Sequence, residues 1–113
     1  MLNMFNLMGK IGEVQDRMQE IKSRLPGIML EESELDGTVT VSISADKKIR
    51  NIALAPSFYS QLSEEEREAI LTEAVNNAVE KAEARAKEEM RNGLKGVMPD
   101  IPGFDLDSLP FGI

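Results

Sequence analysis

The chain has 113 residues, with 20 Asp and Glu against 13 Lys and Arg for a formal net charge of −7, and it contains neither Cys nor His. That composition excludes disulfides, Cys- or His-built metal sites and His- or Cys-dependent nucleophilic triads, and no apolar run approaches the ~18 residues of a membrane span. Apolar residues make up 42% but aromatics only 4%, so one modest domain packed by aliphatic and Met side chains is expected.

The first element is a helix. Met4, Leu7, Ile11, Val14, Met18, Ile21 and Leu25 follow one another at alternating steps of three and four, a heptad seam over three repeats. The helix is predicted from about Asn3 to Arg24, because Pro26 disfavours helical backbone at Leu25 and Gly27 follows. The apolar stretch Met1 to Ile11 has no basic leader and no cleavage site, so it reads as the start of this helix, and a cytoplasmic location is expected. A sustained 3.5-residue period favours packing along another long helix. Lys10, Arg17 and Arg24 recur every seventh position beside the seam and form a basic stripe. Such a stripe serves either as a solvated flank with ion pairs or as an edge that contacts phosphates.

From Ile28 the period changes to two. Ile28, Leu30 and Glu32 share one face of a first strand, and Asp36-Gly37 signals a turn. Thr38 to Ser44 alternates, with Val39, Val41 and Ile43 inward and Thr38, Thr40, Ser42 and Ser44 outward. Ala45 to Lys48 is a second turn and Ile49 to Leu54 a third strand; connections this short predict an antiparallel meander. Lys47, Lys48 and Arg50 lie at the second turn. Ser57 to Leu62 is predicted as a loop or a helical turn after Pro56.

Ser63-Glu64-Glu65-Glu66 carries the capping-box pattern, and a long helix is predicted from there to about Asn92, with Gly93 as its stop. Its buried stripe is Ile70/Leu71, Ala74/Val75, Ala78, Ala82, Ala86 and Met90. About 30 residues span roughly 45 Å, against ~23 Å for seven-residue strands. The helix must overhang its own sheet, and the simplest cover for an overhanging apolar seam is a second copy. Ile11, Val14 and Met18 of the first seam and Val39, Val41 and Ile43 of the middle strand are the expected dimerisation residues. The domain is placed at 1–96. The remainder, 97–113, is a tail holding Pro99, Pro102, Pro110, Gly103 and Gly112 together with Ile101, Phe104, Leu106, Leu109 and Phe111.

The acidic total is unevenly distributed. Residues 1–25 sum to +1, 26–63 to −2, 64–80 to −5, 81–95 to +2 and 96–113 to −3. Phosphate binding draws on local Lys and Arg, not on the whole-molecule sum. The candidate phosphate contacts are Lys10, Arg17 and Arg24 on the first helix, and Lys81, Arg85, Lys87 and Arg91, with Lys95 beside them, on the last. The second cluster equally suits the negative end of a helix and pairing with Glu83 and Glu88. No catalytic residue or metal site is expected. Gly9-Lys10-Ile11-Gly12 lacks the spacing of a phosphate loop, and Asp105 and Asp107 are too few for calcium.

These segments, in this order, resemble a known family. A Met-rich first helix with Met18-Gln19-Glu20 precedes Gly37-x-Val39-x-Val41. A Lys/Arg-bearing strand then ends in Ala55-Pro56-Ser57, an Ala-rich helix carries Asn76, Ala78, Lys81 and Lys87, and the tail has Pro102-Gly103-Phe104. Together they resemble the YbaB/EbfC nucleoid-associated proteins across nearly the whole chain. The resemblance implies an α+β subunit of helix, three-stranded antiparallel meander and long helix, in a tweezer-like homodimer. It implies a non-enzymatic, cofactor-free protein of the cytoplasm and nucleoid that binds double-stranded DNA with little or loose sequence preference, in a regulatory role or one linked to recombination and repair. Neither a membrane nor a small-molecule substrate is implied as a partner. Lys81 and Lys87 match basic positions of the family's helix. The other reading is a protein-interaction module that grips a partner helix without binding DNA.

Overall fold

The computed structural model describes residues 4–97, with side chains from Met8 onward. Helix α1 runs Met4–Arg24 and passes through a single 3-10 turn, Leu25–Gly27, into strand β1, Met29–Glu34. Strands β2, Val39–Ser44, and β3, Ile49–Leu54, follow; then come a short helix α2, Pro56–Ser60, and the long helix α3, Glu64–Leu94. The architecture is α+β, and the sheet is an antiparallel meander of order β1-β2-β3. Of the expected tail at 97–113, all but Val97 lies outside the described residues.

Local chemistry explains the boundaries. Proline at position 26 fits the 3-10 turn, which drives Leu25 into the interior and is closed by Ile28 N–H on the Leu25 carbonyl at 3.1 Å. The β1–β2 turn places Leu35, Asp36 and Gly37 at φ of 49°, 52° and 88°. Asp and Gly tolerate that region; Leu does so only under strain. Thr38 helps to hold it, donating both its N–H (3.1 Å) and its hydroxyl (2.8 Å) to the Leu35 carbonyl. At the start of α3 both arms of the capping box are formed: Glu66 N–H donates to Ser63 Oγ at 3.2 Å and Ser63 N–H to the Glu66 carboxylate at 3.1 Å. The segment between β3 and α3 resolves the expected loop or turn as α2. Proline opens that helix, and its Phe58 enters the core.

The register puts Leu30, Glu32 and Glu34 of β1 opposite Ile43, Val41 and Val39 of β2, and Ile49, Ile52 and Leu54 of β3 on the same face. A one-residue bulge at Ser42/Ile43 leaves Arg50 without a partner in the ladder. It turns to the β2–β3 turn instead, donating from Nε to Ser44 Oγ at 2.9 Å and lying 3.8 Å from Asp46. Ser44, expected on a solvent-facing row, is fully buried in this network and donates its hydroxyl to Asp46.

Two apolar clusters follow one another along α3. In the first, Ala74, Ala78 and Ala82 lie against Val39, Val41 and Ile43, with Phe58 closing the end. Alanine at three successive turns lets the helix approach the sheet closely. In the second, the overhanging half of α3 contributes Ala86, Met90 and Leu94, and α1 contributes Ile21, with Leu25 and Ala45 beside them. The overhang is thus covered within the subunit by α1. Val39, Val41 and Ile43 have no accessible surface at all, so the expectation that they face a second copy is corrected: their partner is α3. Gly93 is also reassigned. The helix continues through it to Leu94, and a Cβ at this position would collide with the Ile21 side chain; the glycine lets α1 and α3 touch.

Candidate nucleic-acid interface

The cations fall into three groups by what surrounds them. On one flank of α3, Lys81 extends its ammonium group to the Glu31 carbonyl at 2.7 Å and to the Glu32 carboxylate at 3.7 Å. One turn earlier Asn77 donates to Glu34 at 2.8 Å. Glu32 and Glu34 stand on the core-facing side of β1, where the register leaves them no choice. Lys81 and Asn77 satisfy them and fasten the edge strand to the helix. Arg85, on the same flank, donates to Glu89 at 2.8 Å. Of the expected DNA contacts, Lys81 and Arg85 therefore sit against acids of their own subunit.

On the other flank Glu83, Lys87, Arg91 and Lys95 follow at intervals of four and so form one ridge of the helix. Lys47 of the β2–β3 turn reaches Glu83 at 3.9 Å, which sets that basic turn, with Lys48, at the head of the ridge. Lys87 to Lys95 spans ~12 Å of helix. Lys87, Lys95, Lys48, Lys22 and Arg24 make no ion pair among the described residues. On α1, Lys10 lies 3.6 Å from Glu13 and Arg17 lies 3.8 Å from Glu20, all four side chains well exposed. Pairs this open and this long contribute little and exchange readily for a stronger anion.

The one cation in the acidic start of α3 was not singled out as functional in the sequence, and it has a local task. Arg67 donates from Nε to the Phe58 carbonyl at 3.0 Å and also to the Tyr59 carbonyl, and it lies about 6 Å from both rings. It satisfies the free carbonyl end of α2. Among the described residues no cluster of acidic side chains is arranged to hold a metal, and no helix is long and apolar enough to cross a membrane.

The sequence and the fold have counterparts. The sequence model of the YbaB/EbfC DNA-binding family matches residues 1–97. The chain belongs to that family. The YbaB/EbfC proteins are a DNA-binding family, not a family of enzymes. A nucleoid-associated protein of Flavobacterium johnsoniae is 28% identical over 104 residues, covering 92% of this chain and 96% of its own. One from Agrobacterium fabrum is 29% identical over 106 residues, covering 94% and 98%. The fold is also that of an uncharacterized protein of Helicobacter pylori whose crystal structure superposes with a TM-score of 0.69 at 16% identity, covering 83% of this chain and 99% of that one. In YbaB/EbfC terms, the helix pair α1–α3 that projects from the sheet carries most of the chain's cations.

Proposed function

We propose that this protein binds double-stranded DNA as a homodimer with little sequence preference, in the cytoplasm and on the nucleoid. The observation that carries the DNA reading is the ridge of Lys87, Arg91 and Lys95 on the projecting half of α3, in a chain whose acids gather at the other end of the same helix. Lys87, Arg91, Arg24, Lys10 and Arg17 make the phosphate contacts, with Lys48 and Lys95 added. Lys81 instead fastens β1 to α3, and Arg85 is paired along its own helix with Glu89. The contacts are to the phosphate backbone, and affinity tracks salt.

Dimerisation is supported by β3. The face it shares with the core strand is left uncovered where α3 crosses only β1 and β2, and Ile49 and Ile52 remain 42% and 41% exposed there. Its outer edge also has a free row of backbone groups, which a second β3 can pair. Ile11, Val14 and Met18 lie on the arm, away from this face. Two copies joined at β3 hold four projecting helices, a pair on each side.

The test is fluorescence anisotropy of a labelled mixed-sequence duplex across salt concentrations, with light scattering of the same preparation. Linear loss of log affinity with log salt and a dimer mass support the reading. A monomer, or no binding at low salt, overturns it; the exposed seam of α1 would then favour the protein-interaction reading.

A further inference from the structure

Among the described side chains, those of Met8 to Glu13 give α1 no packing reason to be helical. Among the described side chains, α1 begins to pack on α3 at Val14 and Met18. Met8 beside the seam and Ile11 on it are 64% and 51% exposed. Gly9 and Gly12 lie one turn apart in the same stretch, and a Cβ at either would meet nothing within 4 Å. Gly93 shows what a packing glycine looks like in this fold; Gly9 and Gly12 are the opposite case. Each lowers the helical population, and neither gains a close contact within the subunit. A segment of about ten residues outside its packed region is short for independent helix formation.

The seam's flank says what can complete it. Lys10 and Arg17 run along one side, in open pairs with Glu13 and Glu20 that exchange readily for a phosphate.

We propose that residues 4–13 are a DNA contact element that becomes fully helical on the duplex, with Gly9 and Gly12 setting the cost of ordering it. The inference rests on the DNA-binding reading. In the free dimer the tip opens and closes; on DNA, Lys10 finds phosphate, and Met8 and Ile11 lie against the sugars. Opening lowers affinity by the fraction of time the tip is not helical. It also lets the arm adjust to duplexes of different groove width, which suits loose specificity.

The experiment is the full chain with Gly9→Ala, Gly12→Ala and both, read by circular dichroism, amide exchange and anisotropy at several salt concentrations. Expected are a rise in helicity and affinity gains of up to about fivefold for each alanine. The salt slope should stay unchanged, because no charge is altered. In the unsubstituted protein, amides 8–13 should exchange far faster than 18–24 and become protected on DNA. Protection of 8–13 without DNA overturns the proposal. So does a rise in helicity with unchanged affinity, and so does a fall in affinity, which would mean that the duplex needs the bare glycine surface. If neither the unsubstituted protein nor the variants bind DNA at low salt, it is the DNA reading that fails, and the inference fails with it.

Discussion

At the scale of single residues, position relative to the sheet decides what each cation does. Lys81 and Lys87 are six apart and look equivalent in sequence. One hundred degrees per residue carries them to opposite flanks of α3, one above two glutamates of β1 and one on an open ridge. Lys81→Ala removes the partner of a half-buried Glu32 and of the Glu31 carbonyl. It should cost about 1 kcal/mol and lower Tm by about 4–8 °C for a domain of this size, while the salt dependence of DNA binding keeps its slope. A slope flattened by one unit with Tm unchanged would return Lys81 to the interface. Asp46 and Glu66 supply a pH dependence. The hydrogen bond from Ser44, followed by Arg50, holds the Asp46 carboxyl below its ordinary 3.8, and the Ser63 N–H and hydroxyl hold Glu66 below its ordinary 4.5. Depressed native values mean that the unfolded chain takes up protons first. Both contributions are therefore complete at neutral pH, weaken as pH falls toward those ordinary values and vanish below the native ones. Thermal melts from pH 7 to pH 2.5 should show less acid destabilisation in Asp46→Asn than in the unsubstituted chain.

At the scale of elements, the fold was legible wherever a periodic pattern met a local stop signal. The heptad steps and Pro26 gave α1, alternation from Val39 to Ile43 gave β2, and Ser63 with Glu66 gave the start of α3. What sequence could not show was which apolar face meets which. Val39, Val41 and Ile43 look the same whether they face a helix of their own subunit or a second copy, and only the Ala stripe of α3 lying over them decides it. Gly93 carried the usual mark of a helix end, but tertiary contact with Ile21 overrode it. The cations of α3 were visible as a cluster, yet their sorting into two flanks needed the direction of α3 over β1. Gly93→Ala should destabilise the protein by about 1–3 kcal/mol through overpacking against Ile21, visible as a lower denaturant midpoint with an unchanged m-value. Ile49→Lys together with Ile52→Lys should leave the subunit folded, because neither side chain reaches the core, and shift light scattering from dimer to monomer. A folded double variant that remains a dimer would remove β3 from the interface.

At the scale of the whole molecule, separation of charge reconciles a −7 chain with a polyanionic partner. Residues 64–80 carry −5 in the half of α3 that lies on the sheet, and residues 81–95 carry +2 from the sheet's edge out along the projecting half. In the proposed complex, opposite ends of one helix would repel and attract a duplex and so orient the arms toward DNA and the sheet away from it. Two subunits joined at β3 would keep the acidic regions central and the cations distal. The most direct measurement is anisotropy on a mixed-sequence duplex as a function of salt, comparing the unsubstituted protein with Lys87→Ala, Lys95→Ala and the double variant. Each substitution should weaken binding alike on unrelated sequences and flatten the log–log salt slope by about one unit per subunit engaged. Unchanged affinity and slope in the double variant would contradict a DNA interface on the ridge of α3.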